Sequence, residues 1–363
     1  MSDNYRIDSH KMMYHPDRLT QWLAAGNDWS TLRKVYPIYM EVSPSGMCNH
    51  RCTFCALDFM EYKKRFLDTQ IFQKRLTELG SLGLKSIMFG GEGEPLLHRD
   101  IVSLMKSVQE SGIDLAMTTN AVFLKHDLVP AVLDTMQWVK VSINAGTSRT
   151  YAQIHRTRPE DFDTVIDNLA YAANYKEKNG KSCVLGLQLL LLPENQKEVP
   201  ALAHKARNLG VDYLVVKPYS QHPASKTQLF KDITYSDIEA LQDELEALNT
   251  DRFQVIVRLN AIEKWNEASH AYPRCLALPF WSYMDAGGSV WGCSMFLEND
   301  RFWYGNIYDE SFQGIWEGEK RKTSMEWVAN NLDAGQCRVN CRMDEINRYL
   351  WDLKNPPDHI NFI

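Results

Sequence analysis

A chain of 363 residues can hold one barrel-sized domain plus a smaller one, and 44% hydrophobic with 24% charged residues is ordinary globular material. A formal charge of −6 argues against a nucleic-acid footprint, which would be basic. No apolar run reaches membrane-spanning length, and the N-terminus lacks the basic-then-apolar layout of a signal peptide. A cytoplasmic protein is expected, with no nucleic-acid partner and no membrane partner. Thiols stay reduced there, so eight cysteines read as metal ligands rather than disulfides.

Residues 1–35 read as a helical extension, with apolar residues at helical spacing over 17–25. Residues 36–220 alternate strands with helices. The pattern predicts strands over 37–42, 86–90, 114–119, 139–144, 183–191 and 213–218. It predicts helices over 68–82, 100–111, 128–136, 162–179 and 199–209. Gly112, Gly180 and Gly210 fall where helix-ending glycines belong. Such alternation makes a parallel sheet with right-handed crossovers, and six β/α units make an α/β partial barrel. Residues 221–270 read as a connector with one polar helix over 235–248. Residues 271–363 form a small C-terminal α+β region, aromatic-rich and holding four more cysteines, with a helix over 346–353 and an apolar end expected to dock on the body.

The first predicted strand and the turn Ser43-Pro44-Ser45-Gly46 lead into Cys48, Cys52 and Cys55, a C-x3-C-x2-C run. Three thiolates on one short loop can hold three corners of a cubane [4Fe–4S] cluster and leave the fourth iron open to a small molecule. Electron-transfer clusters are usually held by four cysteines. A zinc knuckle or chance spacing are the other readings of the run. The loop resembles the cluster motif of the radical S-adenosylmethionine (radical SAM) enzymes, down to Phe54, the aromatic before the third cysteine. The resemblance implies a TIM-like partial (β/α)6 barrel, a cluster that chelates S-adenosylmethionine (SAM), and Phe54 bordering the adenine. It also implies one-electron cleavage of SAM to a 5′-deoxyadenosyl radical, with a reducing partner such as flavodoxin or ferredoxin.

Ligands sit at the C-terminal strand ends of parallel sheets, and further candidates fall there. The second strand ends Gly90-Gly91-Glu92-Gly93-Glu94-Pro95, similar to the family's Gly-Gly-Glu motif for the SAM amino group, with two residues inserted. Either Glu92 or Glu94 can take that role. Asn120, with Thr119, is a rim candidate. Ser142 and Asn144 share a face with Lys140 and resemble the family's Ser-Ile-Asp-Ala-Gly, with Asn in place of the acid. A satisfied interior polar pair is the bland alternative. Gln188, Lys217 and Tyr219 are candidate substrate contacts, and His222 a weaker one. A core amide and a snorkelling lysine are the alternatives. Cys183 reads as a buried structural thiol. The basic run Lys63-Lys64-Arg65 reads as solvated charge.

Cys275, Cys293, Cys337 and Cys341 suit a fully ligated auxiliary [4Fe–4S] cluster or a zinc site. A hairpin signal lies between the first two, with Gly287-Gly288 in its turn. This region resembles the SPASM/Twitch extension of radical SAM proteins, in a form with one cluster. The resemblance implies two [4Fe–4S] clusters in all. The expected function is a radical SAM oxidoreductase that dehydrogenates, dehydrates or epimerises a sugar, aminocyclitol or nucleotide sugar. The second reading is a peptide- or protein-modifying radical SAM/SPASM enzyme, crosslinking a peptide or maturing an enzyme.

Overall fold

The computed structural model describes residues 5–236, 238–267 and 270–362. The first four residues of the extension, Asp237 of the connector helix and the last residue of the tail lie outside them.

Ten strands form one sheet. They are β1 (Tyr39–Val42), β2 (Ser86–Phe89), β3 (Asp114–Thr119), β4 (Trp138–Ser142), β5 (Val184–Leu191), β6 (Tyr213–Pro218), β7 (Gln254–Val257), β8 (Trp281–Met284), β9 (Ser289–Trp291) and β10 (Trp303–Asn306). Their order is β10-β9-β8-β1-β2-β3-β4-β5-β6-β7, with β1 to β7 parallel. The outward side chains of these strands meet the crossover helices in one core. Phe72 and Leu76 come from the helix Thr69–Ser81, Leu104 and Val108 from Ile101–Glu110, and Leu202 from Val199–Leu209. In β4, Val139 and Val141 are 1% and 0% exposed on this outer face, whereas Lys140 and Ser142 keep partial exposure toward the barrel interior. Strand alternation therefore sets which residues a ligand can reach.

The six expected strands are present within a residue or two. Residues 221–270 hold more than the expected helix, which is observed over Ile238–Glu246. They also hold β7, which pairs Leu214 with Val255, and a helix over Leu259–Glu267. Four residues between polar stretches are too short for periodicity to show.

The C-terminal region continues the same sheet. β8 lies parallel to β1, pairing Tyr39 with Trp281 and Glu41 with Tyr283, and β9 and β10 follow antiparallel. The hairpin turns on Asp285, whose Oδ1 accepts from Gly287 N at 2.8 Å and Ser289 N at 3.1 Å. Glu92 pins this turn to the barrel. It accepts from Ala286 N at 2.8 Å and from Arg65 Nη2 at 2.6 Å. Arg65 is thus half-buried in an ion pair rather than solvated.

The helix Pro16–Ala25 buries Leu19, Trp22 and Ala25 against this C-terminal region, with the Trp22 and Phe280 rings 5.7 Å apart. Ahead of it, Tyr5 and Ile7 pack on Tyr213, Val215 and Ile256, on the inner face of the sheet. The tail does not dock as expected: Ile360 and Phe362 are 55% and 85% exposed.

Arg65→Ala should leave the Glu92 carboxylate, 1% exposed, without its cation. Breaking a buried pair from one side destabilises by about 3 kcal/mol. The expected result is a lower urea midpoint with the slope unchanged. An unshifted midpoint would show that the pair does not hold the hairpin.

Candidate active site

The cysteine loop is anchored on both sides. Thr53 N donates to Ile154 O at 2.8 Å and Arg51 N to His155 O at 3.1 Å, tying it to the helix Ser148–His155. On the other side Asp58 accepts from Lys226 N at 2.8 Å and Thr227 N at 2.9 Å, and Ser225 Oγ donates to Cys55 O at 3.1 Å. The loop is therefore held between the chain after β4 and the chain after β6.

Its three thiols are partly exposed and act on one another. Burial pushes Cys48 up to about 12, with Glu94 and Cys55 adding to it. Burial likewise raises Cys52 and Cys55. Thiols so crowded resist ionisation until a cationic metal core draws the protons off, as metal ligation does. Among the described residues, the three donor atoms that gather within 4.8 Å of one another belong to His50, Cys52 and His155. No three cysteine sulfurs do so. A single tetrahedral zinc, with Zn–S near about 2.3 Å, needs its sulfurs packed more tightly than this. His155 lies with Nδ1 3.3 Å from Cys52 Sγ. Burial first, then His50, pull it down to about 3, so it is a neutral imidazole. The Phe54 ring meets the His155 ring edge-on at 5.2 Å.

The glycine motif presses on this loop. A Cβ on Gly93 would lie 2.3 Å from Ser45 O and 2.4 Å from Met47 O. One on Gly91, at φ 89°, would lie 2.0 Å from Ser43 Oγ. The two glutamates part company. Glu92 faces the β8–β9 turn. Glu94 stays by the cysteines: its backbone N–H donates to Met47 O at 2.8 Å, and its carboxylate accepts from Thr119 Oγ1 at 2.5 Å, Asn120 N at 2.8 Å and Leu96 N at 3.1 Å. Asn120 in turn donates to Asn49 Oδ1 at 2.8 Å. Glu94, Thr119 and Asn120 thus form one buried brace under the loop. Gly90 faces the barrel interior, near Met88, Thr118 and Glu41.

Ser142 and Gln188 are register partners on the inner face, and neither side chain has a hydrogen-bond partner among the described residues. Asn144 departs from its expected place. It is 0% exposed at φ 51°, and its Oδ1 accepts from Leu190 N at 2.8 Å, so it braces β5 rather than facing a ligand. Tyr219 departs too: it is 2% exposed, packs on Phe230 and donates to Gln221 Oε1 at 3.0 Å. Lys217 points inward, partly exposed. His222 is buried against Phe59. Cys183 is a core thiol, 1% exposed.

Cys275, Cys293, Cys337 and Cys341 line one small cavity with Phe296, Phe302 and Asn347. Burial and mutual repulsion push Cys337 up to about 12 and Cys341 up to about 11. The helix Asp344–Lys354 braces the cavity through residues the sequence pattern did not flag. Asn347 accepts from Leu276 N at 2.6 Å and donates to Cys275 Sγ at 3.6 Å. Asp344 accepts from Tyr272 Oη at 2.8 Å, from Lys264 at 2.9 Å and from Arg348 at 2.9 Å. Arg338 and Arg342 were also missed, although each directly follows a cysteine. Both turn away from the cavity. Arg338 Nε donates to Ser220 Oγ at 2.8 Å, and Arg342 Nη2 pairs with Glu41 Oε2 at 3.0 Å inside the barrel.

Comparison with known proteins agrees with this architecture. Over 320 residues the chain is 24% identical to the tungsten-containing aldehyde ferredoxin oxidoreductase cofactor-modifying protein of Pyrococcus furiosus, covering 83% of this chain and 85% of the relative. Over 197 residues it is 27% identical to the GTP 3′,8-cyclase of Chlorobaculum tepidum, covering 53% of this chain and 57% of the cyclase. Among solved structures, Streptococcus suis SuiB bound to its precursor peptide SuiA superposes with a TM-score of 0.62 at 18% identity, over 80% of this chain and 69% of that one. Native anSMEcpe with bound AdoMet superposes with a TM-score of 0.59 at 15% identity, over 88% and 95%. Residues 42–206 match the Radical SAM superfamily. With its three-cysteine loop seated at the mouth of a parallel partial barrel, the chain carries over residues 42–206 a domain that matches the Radical SAM superfamily.

Proposed function

We propose that this chain is a radical SAM enzyme that modifies a cofactor or peptide, with Cys48, Cys52 and Cys55 as ligands of the SAM-binding cluster and Cys275, Cys293, Cys337 and Cys341 as ligands of one auxiliary [4Fe–4S] cluster. Bound together, the first cluster and SAM supply one-electron cleavage of the sulfonium and a 5′-deoxyadenosyl radical that abstracts hydrogen. The observation that carries the proposal is the joint placement of the two cysteine sets. The loop follows β1 at its C-terminal end, and the cavity is built from the chain leading into β8 and leaving β9, so both sets flank neighbouring strands of one sheet.

The chain's own residues have distinct parts. Glu94, Thr119 and Asn120 hold the loop's shape, and Glu94, the glutamate beside the cysteines, is assigned to the SAM amino group through the acceptor capacity its three hydrogen bonds leave over. Ser142 and Gln188 are the inward side chains left available to SAM or substrate. Phe54 borders the adenine. The three-cysteine loop needs an outside electron, which a reductant such as flavodoxin or ferredoxin would deliver. The four-cysteine site has every corner ligated, which suits electron transfer and an oxidoreductase outcome.

Between the two substrate readings, the modifying one is better supported than the sugar one. The relative matching over most of both chains is named for modifying a cofactor, and SuiB, which shares the fold, was solved with a precursor peptide.

Anaerobically reconstituted protein should hold roughly eight irons per chain, as two cubanes require. Cys52→Ala should lower this to about four and abolish 5′-deoxyadenosine release while the circular dichroism spectrum is kept. Undiminished release would overturn the ligand assignment. Cys337→Ala should also retain about four irons yet still cleave SAM; stoichiometric zinc in the wild type would overturn the auxiliary cluster.

A further inference from the structure

The inner face of the barrel gathers positive charge that the protein does not neutralise. Lys140 stands on β4, in register with Thr118 and Gly186. Lys217 stands on β6, in register with Leu190, and Arg258 follows β7 with its N–H on Val216 O at 2.9 Å. Arg338 and Arg342 enter from the four-cysteine loop. Two carboxylates answer these five cations. Asp8 takes Arg258 at 2.9 Å, and Glu41 takes Arg342 at 3.0 Å. No carboxylate of the described residues pairs with Lys140, Lys217 or Arg338. Lys140 rests its ammonium 5.2 Å from the Trp138 ring centre, and Arg338 donates to the neutral Ser220 hydroxyl, with Cys341 and Tyr219 but no carboxylate answering its charge. The group is close enough to interact: burial first, then Lys140, Arg258, Arg338 and Arg342, drive Lys217 well below the usual lysine range. Burial, then Arg342 and Arg258, bring Lys140 down to about 7, against the opposing pull of Glu41.

Four thiolates around an auxiliary cluster would face Arg338 and Arg342 from behind, but Lys140 and Lys217 stand on strands away from it, so the interior favours an anion. SAM does not supply one. Its sulfonium, ammonium and carboxylate leave it with a net positive charge, so it brings no net anion to the cations. A compact polyanion can meet several. A phosphate monoester carries about −1.5 to −2 near neutral pH and three acceptor oxygens, and arginine forks match those oxygens bidentately. Lys140 lies two residues inside the C-terminal end of its strand, below Ser142, so the acceptor must reach down into the barrel from its mouth.

We infer that the substrate carries a phosphate or diphosphate group, held inside the barrel by Lys140, Lys217 and Arg338 with Arg342 beside them. This inference rests on the radical SAM reading of the mouth above it. It narrows the substrate from any peptide or cofactor to a phosphorylated small molecule. It also gives the four-cysteine loop a second task, because the segment that carries Cys337 and Cys341 delivers two of the cations.

The test titrates anaerobically reconstituted, SAM-loaded full-length protein with inorganic pyrophosphate by calorimetry and by thermal melting. Wild type should bind pyrophosphate and melt at a higher temperature with it. Lys140→Gln/Lys217→Gln should bind at least about tenfold more weakly, the effect of losing a charged hydrogen bond. Lys217→Gln alone should melt no lower than wild type without pyrophosphate, since it removes a buried amine whose charged form the neighbouring cations oppose, and should lose most of the pyrophosphate-induced shift. Lys217→Arg should keep both binding and shift. Absence of wild-type binding, or equal binding by Lys217→Gln, overturns the inference. So does tighter binding of hexaglutamate than of pyrophosphate, which would point to an acidic peptide. Release of 5′-deoxyadenosine by the same wild-type sample under dithionite separates the two levels. If release occurs without pyrophosphate binding, only this inference fails; if no release occurs, the proposed function itself fails.

Discussion

The pairing of β8 with β1 is the constraint on which the site depends. β1 is hydrogen-bonded on both sides, to β2 and to β8. Its C-terminal end therefore delivers the cysteine loop into a fixed frame rather than into a free edge. The same pairing makes the C-terminal region an extension of the barrel wall. Edge strands left open invite unwanted pairing, and here the edge beside the cysteines is closed by the protein's own hairpin. Glu92, Arg65 and Asp285 then fasten the hairpin turn to the glycine motif.

Around that frame, the polar residues near the mouth divide into those that hold and those that remain available. Glu94, Thr119, Asn120 and Asn144 hydrogen-bond to one another and to the backbone inside the protein. Buried polar groups must be so satisfied, and these fix the loop and β5. Ser142, Gln188 and Lys217 line the inner face without such commitments. The barrel thus combines a rigid rim with an accepting interior, the combination that positions reactive groups without collapsing onto them.

The barrel was legible because parallel strands buried on both faces read as apolar runs, and the helices between them close on glycines. Both cysteine sets stand out in the sequence because cysteines are rare and their spacing is informative, and the fold brings the second set to one cavity. What escaped the sequence has physical reasons. β7 is four residues long and stabilised by its pairing with β6, a tertiary effect. Asn144 and Tyr219 sit just past strand ends, where alternation no longer sets direction; the positive φ of Asn144 turns its amide back toward Leu190. Glu92 and Glu94 differ only in which neighbour the folded chain brings to them, and those neighbours, Ala286 and Asn120, are far apart in sequence. Arg338 and Arg342 were hidden by the cysteines beside them, which drew attention to metal and away from charge.

Those two arginines carry a consequence for how this chain can vary. Three residues separate Cys337 from Cys341, and the same interval separates Arg338 from Arg342. Inserting or deleting one residue there would change the phase between sulfur and guanidinium, so that restoring the thiols to their cavity would swing a guanidinium out of the barrel. Loop length in this segment is therefore constrained twice over, by two ligands of opposite charge on opposite sides of the same short stretch of backbone.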